Sequence, residues 1–306
     1  PQRSPSRGRP KSWSAESHRQ LSGSLRILDD EDLPEFLALL GQDPLSNLFV
    51  ASRVATFGLA PESLGCAVYG YHVHGELIGA CHVGSNLVPV GELPEALDAF
   101  VPAIGTRRHV ASIVGPAAAV TRLHAGLCER WGSSWTRPRE IRSHQPLMVI
   151  RVPPLVEPDR RIQRVDTSHF DAYVKAAVAM YTEEVGVSPL DSSGSYPRYV
   201  RLLMQLGRAI GGVVPADDAR RQPERVWFKS DIGSVWRHYC QVQGVWLDPQ
   251  LRGRGLSIPA MAQVVVLCQQ QYPVVSLYVN DFNTRARRLY TEIGFDTVGE
   301  LATVLY

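Results

Sequence analysis

The sequence has little charge of either sign in excess, no long apolar run and few cysteines. Lys and Arg number 32 against 30 acids, a formal net charge of +2 over 306 residues. That balance removes any general electrostatic case for a specific nucleic-acid partner. No segment approaches the ~20 consecutive apolar residues that span a bilayer, so no membrane partner is expected. Cys66, Cys81, Cys128, Cys240 and Cys268 are odd in number, widely spaced and form no CxxC pair. The spacing excludes the common zinc motifs and argues against a disulfide framework. Reduced buried thiols, a cytoplasmic location and no metal are the expectations.

What is present is the composition of a globular protein, 44% hydrophobic and 20% charged, with length for two ordinary domains. Residues 1–24 carry Arg3, Arg7, Arg9, Lys11 and Arg19 against the single acid Glu16. This Ser- and Pro-rich stretch lacks an apolar period and reads as a disordered basic tail. Residues 25–152 form a first domain: a strand at Leu25–Leu28, a helix bearing Leu33, Phe36, Leu37 and Leu40, a second helix at Asn47–Phe57 and strands over Ala67–Val90. A strand at Ala111–Val114, a helix at Ala117–Trp131 and a strand at Gln145–Val152 complete it. The proline-dense run 153–159 is a linker. Residues 160–306 begin again with a strand at Arg161–Val165 and helices at Ser168–Glu184 and Tyr196–Gly207. Strands around Gly212–Val214, Arg225–Ile232 and Cys240–Leu247 follow. Helix Pro259–Gln271, strand Val274–Val279, helix Thr284–Ile293 and strand Leu301–Leu305 close the chain. Both halves share roughly one α/β order, so the chain reads as a structural tandem.

The segment Gly244–Ser257 concentrates the chemistry. A buried strand ends at Pro249, a basic glycine-rich turn follows, and a helix starts within a few residues. Such a helix start leaves backbone N–H groups unpaired at the positive end of the helix dipole, a site suited to a pyrophosphate. Gly253 and Gly255 let the backbone approach phosphate oxygens, and Arg252 and Arg254 add charge. The Walker and dinucleotide patterns do not fit, since neither Gly-Lys-Ser/Thr nor a third glycine follows.

The run Arg252-Gly253-Arg254-Gly255-Leu256-Ser257 resembles the Gln/Arg-x-x-Gly-x-Gly/Ala core of the GCN5-related N-acetyltransferases (GNAT). Ser257 stands where that family has Gly or Ala. A second signature of that family follows in Leu277–Phe295, with Asn283, Ala286, Tyr290 and Gly294-Phe295 in matching places. The resemblance covers residues 160–306 strongly, and the first half is similar to an uncharacterised domain preceding such acetyltransferases. It implies tandem GNAT folds, each a mixed, mostly antiparallel sheet flanked by helices, the first half a degenerate copy without the RGxG turn. It implies acetyl-CoA as cosubstrate and a primary amine, on a small molecule or a peptide or protein, as acceptor attacking it directly. Backbone groups of Val245, Trp246 and Leu247 would pair with the pantetheine arm across a bulge at Gly244, an amide near Leu247 facing the thioester oxygen. Arg252, Gly253, Arg254, Gly255, Leu256 and Ser257 would hold the diphosphate.

The same resemblance makes Tyr290 the acid that protonates the departing thiolate, or else a core aromatic. Asn283 is a coenzyme ligand or a helix N-cap. Glu183 and Glu184, at a helix end lining the acceptor side, are the candidate bases. Asp231, Gln241 and Gln243 lie on central strands and could face the same cleft, and His238 precedes one of them. A noncatalytic acyl-CoA-binding module and a transferase of larger acyl groups remain the alternatives.

Overall fold

The computed structural model describes residues 23–306. The expected tail, 1–24, therefore lies outside the described residues except for Gly23 and Ser24, and Ser24 already opens the first strand. In the first half the order is β1 (Ser24–Ile27), α1 (Leu33–Leu40), α2 (Leu48–Phe57), the single turn α3 (Pro61–Leu64), β2 (Ala67–Val73), β3 (Glu76–Val83), β4 (Asn86–Val90), α4 (Pro94–Ile104), β5 (Ser112–Pro116), α5 (Ala117–Trp131) and β6 (Glu140–Ile150). The second half runs β7 (Gln163–Arg164), α6 (Phe170–Val185), α7 (Ser195–Gln205), β8 (Ala209–Val214), β9 (Arg225–Trp236), β10 (Tyr239–Leu247), α8 (Ser257–Gln269), β11 (Val274–Tyr278), α9 (Thr284–Ile293) and β12 (Asp296–Leu305). Apart from the extra turn α3, the two series match element for element.

Helix α4 was not anticipated from the sequence, because Pro94 opens it and Pro102 lies within it, and proline argues against a helix interior. Its presence moves the counterpart of the glycine-rich turn. In the first half that position is the connection from β4 to α4, Gly91-Glu92-Leu93. The three-residue connection carries an acid where the second half has arginines. The first half therefore lacks the basic, glycine-rich turn at the matching position.

The twelve strands of the described residues join one sheet, in the order β1-β2-β3-β4-β5-β12-β6-β11-β10-β9-β8-β7. Only β4–β5 and β10–β11 pair in parallel; the rest are antiparallel. The last strand of each half is thus inserted among the strands of the other. β12 pairs with β5 from Leu301↔Pro116 to Leu305↔Ser112. β6 pairs with β11 from Val275↔Ile150 to Tyr278↔Leu147. Side chains reinforce the insertion: Thr303 donates to Gln145 at 2.6 Å, and Gln145 donates to Asn280 at 2.8 Å. Ala302 and Val304 are buried in the first half's core beside Phe100 and Leu123. A buried Val304 side chain contributes on the order of 1.5–3 kcal/mol of hydrophobic stabilisation, and the Ala302 methyl about 0.8 kcal/mol.

Two helices frame the site. α8 is apolar nearly all round, burying Ala260, Met261, Ala262, Val264, Val265, Leu267 and Cys268, as a helix enclosed by its own domain must. α9 is fixed at both ends. The Asn283 side chain accepts from the Ala286 N–H, and Gly294 at φ 113° ends the helix with its N–H on the Tyr290 and Thr291 carbonyls. No helix among the described residues is long and apolar enough to cross a membrane.

Candidate active site

β10 and β11 run in register only from Tyr239↔Val274 to Gln241↔Ser276. Beyond Gln241 they diverge, and the flank of β10 facing β11 has no strand partner. On its other flank β10 stays paired with β9, but the register slips between Gln243 and Trp246, so that Gly244 and Val245 form a bulge. Gly244 sits at φ 59°, a left-handed conformation open to glycine at little cost. The bulge expected at this glycine is therefore present.

A cleft of about 520 Å³ opens in the split. Its walls are Val242–Leu247 of β10, Leu277–Tyr278 of β11, Asn283, Ala286 and Tyr290 at α9, and Met180, Glu183 and Glu184 at the end of α6. Glu140, Arg142 and Gln145 of β6 also line it. The first half thus supplies part of the wall, which the sequence did not reveal.

The glycine-rich turn stands at one end. After a turn of 3-10 helix at Pro249–Leu251, Gly253 and Gly255 adopt φ 78° and 74°. A Cβ at either would meet no atom within 4 Å, so the glycines are there for backbone conformation and access. The N–H groups from Gly253 to Ile258 meet no protein acceptor, and the first helical bond at this end is Ala260 N–H to the Leu256 carbonyl at 3.2 Å. Successive donors at the head of a 13-residue helix suit a diphosphate.

Arg252 is turned away from that row. Its Nη1 and Nη2 donate to the two oxygens of Glu183 at 2.7 and 2.8 Å, its Nε donates to the Leu247 carbonyl at 3.1 Å, and Trp246 Nε1 also reaches Glu183 at 3.3 Å. The hydrogen bonds from Arg252 hold the Glu183 carboxyl below the usual range, which makes Glu183 a firm tether for Arg252 and a weak base. Glu184 is more exposed and has a looser contact, 3.7 Å to Arg142. Arg142 itself is nearly buried and paired with Glu140 at 2.9 Å.

Tyr290 is 7% exposed, packs 5.8 Å from the Phe295 ring and borders the cleft. Burial, and then the charge of Glu184, raises its hydroxyl well above the ordinary tyrosine value, so it is a proton-bearing donor at neutral pH. Asn283 borders the cleft while its Oδ1 caps α9 at 3.1 Å; the capping role and a cleft position coincide. Gln243 lines the cleft and donates to the Tyr199 hydroxyl at 2.6 Å. Asp231 is enclosed behind β10, bonded to Lys229 at 2.5 Å and Tyr173 at 2.7 Å. Gln241 and His238 do not border the cleft; His238 is exposed at the β9–β10 turn, its ring 4.1 Å from Tyr239. Lys229, Tyr173 and the β6 residues escaped sequence reasoning. The alternation of polar Glu140, Arg142 and His144 along β6 was the available signal, and it lacked a topology to aim it.

Residues 199–295 match the Acetyltransferase (GNAT) family by sequence. That segment is a GNAT domain. Residues 66–173 match a domain of unknown function, DUF4081, which ends inside α6. No curated protein matches the chain. Among solved structures, a Drosophila protein is similar at TM-score 0.61 and 13% identity, covering 92% of this chain and 98% of its own. A GCN5-related N-acetyltransferase from Sphaerobacter thermophilus is similar at TM-score 0.56 and 14% identity, over 92% and 95%. A GNAT-family acetyltransferase from Colwellia psychrerythraea reaches TM-score 0.53 at 14% identity, over 92% and 99%. At such identities these likenesses speak for the fold, and they extend through both halves. The GNAT domain implies acyl-CoA-dependent acyl transfer.

Proposed function

We propose that the chain transfers an acetyl group from acetyl-CoA to a primary amine by direct attack on the thioester. The observation that supports this most is the row of unpaired N–H groups from Gly253 to Ile258, set beside a split sheet that leads to Tyr290. The donor set fits the cosubstrate: the backbone of Gly253, Arg254, Gly255, Leu256 and Ser257 holds the diphosphate, with Asn283 beside the arm. The β11-facing backbone of Val245, Trp246 and Leu247 receives the pantetheine amides as an added strand would. An amide of the Gly244–Leu247 segment stabilises the oxyanion of the tetrahedral intermediate. Tyr290 gives its proton to the departing thiolate.

The acceptor enters from the side of α6 and β6, a mouth edged by Glu140, Glu183, Glu184 and Arg142. Glu184, whose nearest arginine contact is the loose 3.7 Å one to Arg142, is the carboxylate there left to attract a cationic amine. Since Arg252 occupies Glu183, Glu184 is the better candidate to take the ammonium proton, directly or through water. The test is thiol release from acetyl-CoA by the full chain against a panel of polyamines, amino sugars and peptides with free N-termini. Acceptor-dependent release is expected. Tight coenzyme binding by calorimetry with no release for any amine would overturn transfer in favour of a binding module. Faster release from longer acyl-CoAs would overturn acetyl specificity.

A further inference from the structure

Behind β10 lies a charged group that the transfer reaction, as described, leaves without a task. Lys229 is completely buried and Asp231 is 6% exposed. They sit two residues apart on β9, with Lys229 Nζ donating to Asp231 Oδ2 at 2.5 Å and to the Gly244 carbonyl at 3.1 Å. Tyr173 of α6, also fully buried, donates to Asp231 Oδ1 at 2.7 Å, with the carbonyls of Ser230 and Ile210 at 2.9 and 3.2 Å. Its ring lies 5.6 Å from the ammonium.

An interior ion pair commonly gives no more stability than apolar side chains of the same size; its distinctive contribution is fixed geometry. Here the thing fixed is identifiable. The register slip between Gln243 and Trp246 removes the ladder partner of the bulge, and an inward-turned Gly244 carbonyl would be an unpaired buried acceptor without Lys229. The packing is close: a Cβ on Gly244 would meet Lys229 Nζ at 2.9 Å and Asp231 Oδ2 at 3.2 Å. Because a trans peptide is planar, its carbonyl and the following N–H point opposite ways. Drawing the Gly244 carbonyl toward Lys229 on β9 therefore turns the Val245 N–H away from β9, toward the split with β11.

We infer that Lys229, Asp231 and Tyr173 are positioning residues that lock the Gly244–Val245 peptide so that the Val245 N–H meets the thioester oxygen. The inference rests on the acyl-transfer reading and specifies how its oxyanion donor is held. Lys229 grips the carbonyl, Asp231 orients Lys229, and Tyr173 ties Asp231 to α6, the helix that also carries Glu183 and Glu184 to the cleft.

The test is the double variant Lys229→Met/Asp231→Leu of the full chain, which leaves no unpaired charge in the interior. Two quantities are read: steady-state turnover with acetyl-CoA and the best amine of the panel, and amide hydrogen exchange of the peptide covering residues 243–247 without ligand. The expected result is a kcat lower by roughly 10–100-fold with the acetyl-CoA KM unchanged, and faster exchange confined to that peptide. Tyr173→Phe, a milder change, should give the same split at several-fold smaller size, and it carries the test if the double variant does not fold. Unchanged kcat, or a loss of kcat matched by a loss of coenzyme affinity, overturns the inference. If the wild type turns over no amine, the transfer reading fails separately, and unchanged exchange at 243–247 would still show that the network does not hold the bulge.

Discussion

Replacing Gly255 by glutamate separates the two properties of the phosphate turn, its backbone shape and its electrostatics. Gly255 sits at φ 74° with open space where a Cβ would go, so a side chain there meets strain without a clash. For an L-residue in the left-handed region that strain is about 1–2 kcal/mol. Gly255→Ala measures it alone and is expected to weaken coenzyme affinity about tenfold or less. Gly255→Glu adds a carboxylate where the diphosphate is to lie. At ~5 Å and an effective dielectric of ~20, the repulsion is roughly 3 kcal/mol for each phosphate charge. One such repulsion corresponds to about a hundredfold in Kd. Calorimetric titration with coenzyme A should therefore find Gly255→Glu at least about a hundredfold weaker than Gly255→Ala at low salt, the gap narrowing as salt screens it. Equal affinities for the two variants would remove the turn from phosphate binding.

Tyr290→Phe should lower kcat by about 100-fold or more while leaving calorimetric coenzyme affinity intact; an unaltered rate would exclude Tyr290 as the acid. Because Arg252 lowers the Glu183 carboxyl below its ordinary 4.5, the pair's stabilisation is present above that pH and is lost as pH falls through the folded value. The Tm difference between wild type and Glu183→Gln, small for so exposed a pair, should hold at neutral pH and fade below 4.5; a difference undiminished at strongly acid pH would contradict this. Val304→Ala removes about 1.5 kcal/mol of apolar burial from the first half's core, although Val304 belongs to the last strand of the second. Calorimetry should show one cooperative transition moving as a whole, and two independently moving transitions would refute the coupling.

Most of the helices were legible because their ends are marked. Thr284–Ile293 and Ala117–Trp131 have the bounds read from the sequence, each with glycine just past its end. The glycine-rich turn was legible for the same local reason, since its glycines and arginines are contiguous. Strand Arg161–Val165 shrank to Gln163–Arg164, because an apolar alternation does not say how much of a sheet edge is available to pair. The insertion of β6 and β12 into the opposite halves was invisible, as register is a long-range property. With it went the positions of Glu140, Arg142 and Gln145 at the cleft. Lys229 was hidden too: between Phe228 and Ser230 a lysine reads as solvated, and its place is explained only by the Asp231 carboxylate and the inward carbonyl of Gly244. Asn283 and Glu183 show a subtler limit, because a cap, a tether and a ligand use the same side chains.

The placement of β6 bears on how this polypeptide can be divided. A scission within residues 153–159 would leave each fragment with a slot one strand wide, about 4.8 Å, between its own last strand and the rest of its sheet. Both fragments would expose unpaired peptide groups that invite clumping. The amino-terminal portion thereby serves as the missing plank of its neighbour, and the cleft has its full wall only when the two portions are together.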